Sequence, residues 1–153
     1  MGDLVQFATA AAVVCTAVVG GVFFALSSFV MPALARLEPA AGIVAMQSIN
    51  VRAVRPAFML ALFGTAAVAT VVGIARFGDP LIVAAAAVYL VGVIGVTIVA
   101  HVPRNDALAA VDPRSAAAAE TWRRYLTGWC RWNHMRWIGA VVSSSLFLAA
   151  ILR

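Results

Sequence analysis

The stretch PAFMLALFGTAAVATVVGIARFGDPLIVAAAAVYLVGVIGVTIVAHV, residues 56–102, decides the fold of this chain. It contains two apolar runs, each with the roughly 20 residues that an α-helix needs to cross a bilayer. Gly78-Asp79-Pro80 lies between them and predicts a tight turn, because glycine and proline favour turns and proline suits the first turn of a helix. We therefore expect a hairpin of two membrane helices, at residues 56–75 and 80–102.

Two further apolar runs flank this hairpin. Four membrane helices are therefore expected, at residues 4–31, 56–75, 80–102 and 133–152. Of the 153 residues, 64% are hydrophobic and 11% are charged, whereas soluble domains carry about 25% charged residues. The first run has no basic residues before it and exceeds the apolar length of a signal peptide, so a retained helix is expected. The sequence predicts one all-α, polytopic membrane domain over residues 1–153, built as a bundle of four transmembrane helices.

The basic residues are all arginine, and their distribution is uneven. Only Arg76 and Arg153 lie away from the first and third connections between the apolar runs. Cytoplasmic loops of membrane proteins are enriched in basic residues. We therefore expect both long connections in the cytoplasm and both termini outside, in a bacterial cell membrane. The net charge of +5 is interpreted as a topology signal and an attraction to the lipid bilayer. No nucleic-acid motif accompanies it, so no nucleic-acid partner is expected.

Each long connection is predicted to contain a short amphipathic helix. The preceding apolar run ends at Met31-Pro32 in one half and at Val102-Pro103 in the other, and proline commonly ends a helix. An acidic residue and a proline, Glu38-Pro39 and Asp112-Pro113, then predict new helical starts. The first of these helices is expected over Ala40–Arg52. The shared order makes the two halves candidates for a two-fold internal repeat.

Small residues recur at four-residue spacing in the first two membrane helices. They are Ala17, Gly21 and Ala25 in the first helix and Ala61, Thr65, Ala69 and Gly73 in the second. Such stripes allow close helix packing inside a bilayer. They are equally typical of contacts in a homo-oligomer, and both interpretations stay open.

From Ala116 the chain is predicted to form one helix that continues into the fourth membrane span. Charged residues follow one face and aromatic residues the other, which is typical of a helix at the membrane surface with its Trp rings at headgroup depth. Continuing the helical phase turns Asn133 and Arg136 toward the bundle and leaves His134 on the wet face. A charge at that depth needs a partner, so Asn133 and Arg136 are candidate interior polar groups.

A metal or haem site is one candidate for chemistry in this sequence. His101 and His134, with Asp106 or Cys130, are the residues that could provide it. A catalytic metal usually has about three protein ligands, and the helical phase separates His134 from the inward face. We therefore expect no metal and no cofactor.

The mid-span residues are almost all apolar, which disfavours ion transport. The polar groups gather instead in one third of the bundle. This layout is typical of a pocket that admits a hydrophobic small molecule from the lipid. The candidate hydrogen-bond donors in it are Gln47, Asn50, Asn105, Asn133 and Arg136.

At these residues the chain resembles the DUF1772 or anthrone oxygenase-like family of small four-helix membrane proteins. The resemblance is carried by GGVFFA at 20–25, FVMPAL at 29–34, MQSIN at 46–50, VPRNDAL at 102–108 and the segment from Trp129 to Arg136. It implies a bundle of four membrane helices. It also implies an activity, because characterised relatives oxidise an anthrone to an anthraquinone with dioxygen and no recognised cofactor.

The resemblance further implies roles for individual residues. Asn133, Arg136 and Asn105, together with Asn50, would stabilise an oxyanion, and His101 would be a base. Gln47, Asn50, Trp129 and Trp132 are the candidate substrate-binding residues. Two functions are therefore weighed. The first is a cofactor-independent oxygenase-like oxidoreductase acting on a hydrophobic aromatic substrate of the anthrone or quinol type. The second is a non-catalytic oligomeric membrane scaffold or accessory subunit.

Overall fold

The computed structural model describes residues 2–153, and within that range the chain forms helices and no strand. The helices are α1 (Gly2–Leu34), α2 (Pro39–Ala53), α3 (Pro56–Ala75), α4 (Pro80–Ala109) and α5 (Ala118–Ile151). All except α2 are long and apolar enough to cross a membrane. The predictions of an all-α fold and of four membrane helices are confirmed.

The four long helices form a bundle in the cyclic order α1, α3, α4, α5. Each contacts the next, and α5 closes the ring against α1. Because the chain reverses at every connection, neighbouring long helices run antiparallel. α2 lies across one end and packs on α4 and α5. We call this the loop end, and the opposite end, with the turn between α3 and α4, the far end.

The core consists of three layers stacked along the bundle axis. The far-end layer combines alanines with three larger side chains, which are Val72, Ile82 and the fully buried Phe147. Larger residues fill the middle layer around Phe23 and Tyr89. The loop-end layer is aromatic and holds Trp122 and other side chains packed between α2 and α5. Three buried polar residues, His101, Asn133 and Arg136, lie between the middle and loop-end layers.

Two helix ends differ from the sequence prediction. The first and third spans were expected to end at Met31-Pro32 and Val102-Pro103, but α1 continues to Leu34 and α4 to Ala109. In both helices a π-helical segment directly precedes the proline turn, at Leu26–Val30 in α1 and at Thr97–His101 in α4. A wider π turn relieves the missing N–H and the ring clash that normally make proline a helix terminator. The prolines therefore mark a local change of helix type rather than an end.

The start of the fourth helix also differs. The sequence predicted a helical start at Asp112-Pro113, with the helix running from Ala116, but α5 begins at Ala118. Asp112 closes a local turn instead, because its side chain accepts a hydrogen bond from the N–H of Arg114 at 2.9 Å. Downstream, α5 continues without interruption into the expected span and begins well before residue 133.

The aromatic face of α5 does not lie at the membrane surface as predicted. Trp122 and Trp129 are 3% exposed and pack against Met31, Ile43 and other residues of the loop-end layer. A Cβ atom at Gly42 of α2 would lie 2.8 Å from the Trp122 ring, so glycine is what allows α2 to approach α5. The rings are buried in protein because α2 covers them.

The small-residue stripe of α1 does not pack inside the bundle, and its other interpretation, contact in a homo-oligomer, stays a prediction. Ala17 and Gly21 are exposed, whereas Gly20 is buried and its Cβ position would lie 3.1 Å from Ala140 of α5. Four-residue spacing alone does not fix which row faces inward. In α3 the predicted phase matches the structure, with Thr65 and Ala69 buried.

The far end is closed by a small ionic cluster around Asp79. Its carboxylate caps α4 by accepting from the Leu81 N–H, and it pairs with Arg76 at 3.4 Å and with Arg153. Partial burial alone would raise the pKa of Asp79, but the hydrogen bond from Arg153 and those from the backbone N–H groups hold it below its usual value. The C-terminus is thereby tied to the α3–α4 turn.

Candidate functional site

Arg136 lies inside the bundle without a carboxylate partner. The residue is 5% exposed, and no carboxylate of residues 2–153 lies within ion-pair distance of its guanidinium. Its Nη2 donates to Asn133 Oδ1 at 2.7 Å and its Nη1 to Thr97 Oγ1 at 3.4 Å, while Nε is buried with no partner. Desolvated cations are normally paired, so this guanidinium retains capacity for an anion.

Aromatic rings flank the guanidinium. Its Cζ lies 4.0 Å from the centroid of the Phe23 ring and 5.4 Å from that of Trp129. The faces of aromatic rings attract cations, and the attraction strengthens when water is excluded. Phe23 and Trp129 therefore offset part of the cost of burying Arg136, without neutralising its charge.

Asn133 connects Arg136 to α1. Its Nδ2 donates to the carbonyl oxygen of Phe23 at 2.7 Å and to Ser27 Oγ at 2.6 Å, while its Oδ1 accepts from Arg136. Asn133 is fully buried, and each of these contacts is short enough to be well formed. The amide is therefore fixed with its oxygen toward the cation, and it orients the guanidinium.

His101 occupies the same level of the bundle on α4. It is 1% exposed, and neither ring nitrogen has a hydrogen-bond partner among residues 2–153. Its ring meets Trp129 edge to face, with centroids 4.9 Å apart, so His101 and Arg136 share contact with one indole. A neutral imidazole offers one donor and one acceptor, so His101 can take part in proton transfer.

We refer to Thr97, His101, Asn133 and Arg136 as the polar layer. π-helical segments of two helices provide its surroundings: Leu26–Val30 contains Ser27, and Thr97–His101 begins and ends with members of the layer. An extra residue in a helical turn changes the face on which the following side chains project, and such bulges are frequent at functional sites. The two π segments thus bring polar side chains to one level between apolar layers.

A second polar network lies nearer the loop end, around Tyr125. The Tyr125 hydroxyl donates to Asn105 Oδ1 at 2.8 Å and accepts from Asn50 Nδ2 at 3.5 Å. Trp129 Nε1 also donates to Asn105 Oδ1, at 3.2 Å. Asn50 and Asn105 are therefore brought together by Tyr125, and their contacts position Tyr125 and Trp129 rather than Arg136.

Two other predicted binding residues have contacts within the protein. Gln47 Nε2 donates to the carbonyl oxygens of Leu108 and Val111, at 2.9 and 3.1 Å, where α4 ends. The Leu108 carbonyl also accepts from the Val111 N–H at 3.1 Å, and Gln47 adds a cap to this helix end from α2. Trp132 is half-buried beneath the guanidinium of Arg104, whose Cζ lies 5.7 Å from the ring centroid.

His134 is exposed on α5, as the helical phase predicted, whereas His101 is buried. Within residues 2–153 no three side chains of His, Cys, Asp or Glu gather closely enough to hold one metal ion. The residues of the polar layer offer a cation, an amide, a hydroxyl and an imidazole. Together they can bind and stabilise an oxyanion and accept a proton.

Thr97, Ser27, Tyr125 and Phe23 are residues that sequence reasoning did not propose as site residues. Thr97 and Ser27 had a signal, because they are among the few polar residues within the apolar runs. Tyr125 was assigned only to an aromatic face, and its pairing with Asn105 depends on how α4 and α5 pack. Nothing in the sequence indicates that Phe23 faces a cation.

A family model described as anthrone oxygenase matches residues 45–146 of the chain. The match begins in α2 and ends in α5, so it includes the whole polar layer and the Tyr125 network, while Phe23 and Ser27 precede it. No curated protein and no solved structure matches the chain.

Proposed function

The chain belongs to the anthrone oxygenase family, and from this premise we propose that it is a membrane-embedded, cofactor-independent oxidoreductase of hydrophobic aromatic substrates. The substrate class is an anthrone- or quinol-type compound, which forms an electron-rich oxyanion when it loses a proton. The observation that supports this proposal most strongly is Arg136, a buried guanidinium with no carboxylate partner in residues 2–153 and with a free Nε. An anionic ligand would complete its coordination.

The proposed reaction needs a base and an oxyanion site. An anthrone has an acidic CH₂ group conjugated through its rings to a carbonyl. Removal of one proton from this carbon moves negative charge onto the carbonyl oxygen, and we assign His101 as the proton acceptor and Arg136 as the group that binds the oxygen. The resulting enolate is electron-rich enough to reduce dioxygen directly.

The oxidation balances without a further reductant. The enolate carbon transfers electrons to dioxygen and forms a carbon–oxygen bond, giving a hydroperoxide once a proton is returned. Loss of water from this group leaves a second carbonyl, so that CH₂ and O₂ are converted to C=O and H₂O. In this scheme Asn133 is a positioning residue that holds the guanidinium, and Trp129 is a wall of the site that contacts both His101 and Arg136.

The surroundings of the polar layer favour such chemistry. Apolar core layers lie above and below it, which strengthens the interaction between an oxyanion and a guanidinium by excluding water. The enclosed anion also reacts with dioxygen, a small apolar molecule, without competition from bulk water. We assign Gln47, Asn50 and Asn105 to the framework that positions Tyr125 and Trp129.

We further propose that the loop end faces the cytoplasm of a bacterial cell, with both termini outside. The asymmetric distribution of arginine supports this orientation, since eight of the eleven lie in or beside the connections at that end and Arg136 lies inside the bundle.

The activity is tested by oxygen uptake and anthraquinone formation from anthrone, using protein in lipid nanodiscs. Loss of one oxyanion donor typically lowers turnover about 10²–10³-fold, and we expect a loss of this size for Arg136→Ala and a smaller one for Asn133→Ala. Arg131→Gln is the matched control, because Arg131 is exposed on the same helix. Equal background rates in the wild type and both site variants would exclude this activity and favour the non-catalytic scaffold.

A further inference from the structure

The residues of the polar layer are buried or half-buried within the bundle, so a ligand needs a route to them. The nearest wall is Phe23, which is 1% exposed and lies 4.0 Å from the Arg136 guanidinium. On its other side Phe23 meets Phe58 of α3 edge to face, with ring centroids 5.8 Å apart and an interplanar angle of 86°. The rings of Phe23 and Phe58 therefore lie one behind the other between Arg136 and the space on the far side of Phe58.

A groove lies beyond Phe58, between α1, α2 and α3. Its volume is about 350 Å³, and Val22, Leu26, Ile49 and Phe58 provide most of its apolar wall. Small-ligand pockets have volumes of roughly 300–1,000 Å³ and mostly apolar linings, so this groove is large enough for a compact aromatic molecule. Leu26 is also the first residue of the π segment whose Ser27 contacts Asn133.

One end of the groove carries a positive charge. Arg52, in the last turn of α2, lines it together with Ser48, and Arg52 is exposed and pairs with no carboxylate among residues 2–153. An apolar wall with a cation and a hydroxyl at its rim is complementary to an aromatic molecule that carries an acidic oxygen. A lipid acyl chain is complementary to the apolar wall, but it has no polar group for the cation and hydroxyl at the rim.

A second groove, on the other side of α1, provides an internal comparison. It is lined by Ala17, Gly21, Trp137, Ser145 and neighbouring residues, none of them charged. Its wall includes Phe24, which packs on Trp137 rather than on the Phe23 ring that covers Arg136. The two grooves thus differ in charge and in their connection to the polar layer.

We propose that the substrate reaches Arg136 laterally through the groove between α1, α2 and α3, and that Phe58 and Phe23 form its gate. This inference rests on the proposed oxidation of an acidic aromatic substrate. Arg52 attracts the acidic oxygen at the rim, the rings lie along Ile49 and Leu26, and rotation of Phe58 and Phe23 admits the molecule to the polar layer. The π segment that begins at Leu26 gives this part of α1 a wider turn beside the moving rings.

Cysteine protection tests the route without requiring turnover. Ile49→Cys and, separately, Ser145→Cys are placed in a Cys15→Ser/Cys130→Ser background, and modification by N-phenylmaleimide is followed by mass spectrometry in nanodiscs of neutral lipid without oxygen. Saturating anthrone is expected to slow modification several-fold at position 49 and to leave position 145 unchanged. Equal rates with and without anthrone at position 49, or equal protection at both positions, would overturn the route.

Gate variants test Phe58 in steady-state assays. Phe58→Trp enlarges the ring at the gate and is expected to lower kcat/KM several-fold while kcat changes little, because access is slowed and the polar layer is intact. Phe58→Leu keeps an apolar side chain and does not enlarge the gate. Its kcat/KM is therefore expected to lie closer to the wild-type value than that of Phe58→Trp. Equal losses of kcat in both variants would indicate a purely structural role and contradict the gate.

The two proposals fail separately. Protection at position 49 in a protein that oxidises no anthrone leaves the access route standing and removes the oxidation. Turnover of anthrone in a protein that shows no protection leaves the oxidation standing and removes the route.

Discussion

Removing Arg136 should disturb the fold less than removing the residue that holds it. Arg136 is a buried cation whose strongest contact is the 2.7 Å hydrogen bond to Asn133. Arg136→Met replaces the charge with an apolar side chain of comparable length, so the contacts and the desolvation of the guanidinium disappear, while the buried Oδ1 of Asn133 loses its donor. Asn133→Leu removes the amide and leaves the cation buried. We therefore expect the second change to be the more damaging.

The magnitudes follow from the contacts. Arg136→Met loses a charged hydrogen bond, about 1.5–3 kcal/mol, and the contact with the Phe23 ring, about 2 kcal/mol. It also removes a desolvation penalty of several kcal/mol for a buried ion, so the free energy of unfolding should stay within about 2 kcal/mol of wild type. Asn133→Leu leaves the buried guanidinium without this charged hydrogen bond, which costs about 1.5–3 kcal/mol. It also loses two contacts with α1, each worth about 0.6 kcal/mol in membrane bundles.

Reversible unfolding in mixed micelles of dodecyl maltoside and sodium dodecyl sulfate, followed by far-ultraviolet circular dichroism, measures these changes. The double variant Arg136→Met/Asn133→Leu should be more stable than Asn133→Leu alone, since no buried charge remains. Arg131→Gln controls for the loss of an exposed arginine on the same helix. If Arg136→Met proved more destabilising than Asn133→Leu, Arg136 would be a structural lock and the reasoning would be refuted.

Three further predictions concern other parts of the molecule. His101→Gln should lower turnover about 100-fold or more, as expected for loss of a general base. The affinity for anthrone without oxygen should stay close to that of the wild type. Unchanged turnover would show that His101 is not the base. Gly42→Ala should lower the Tm measured in detergent, because its Cβ would lie 2.8 Å from Trp122 and overpacking of this kind costs about 1–3 kcal/mol. Gly64→Ala is the control and should leave the Tm unchanged, since its Cβ meets no atom within 4 Å. In a cysteine-free background, a membrane-impermeant maleimide added to intact cells should label Asp3→Cys and not Ser115→Cys, and the reverse pattern would invert the proposed topology.

The sequence predicts best those features that depend on residues close together in the chain, such as the bounds and the buried face of a single helix. The span at residues 56–75 matches α3 without change of bounds, because proline at its start and the Gly78 turn after it are both local signals. The helical phase of α5 likewise placed Asn133 and Arg136 inside and His134 outside, as the burial of these residues confirms. An uninterrupted helix preserves phase over its whole length.

The sequence was least informative where π segments and packing between helices decide the outcome. Pro32 and Pro103 predict helix ends from the sequence, because the i+5 hydrogen bonding that accommodates them has no clear sequence signature. The position of Phe23 over Arg136 and the sharing of Trp129 by His101 and Arg136 depend on how three helices pack. The phase of the α1 stripe, Gly20 rather than Gly21, depends on the same packing.

The central claim is that the Arg136 guanidinium stabilises the oxyanion of a bound aromatic substrate. The most direct measurement is the absorption spectrum of anthrone bound to the protein in nanodiscs without oxygen, which separates the keto form from the enolate. We expect the wild type to hold a substantial fraction as enolate at neutral pH and Arg136→Met to bind the keto form alone. An equal enolate fraction in both proteins would contradict the claim.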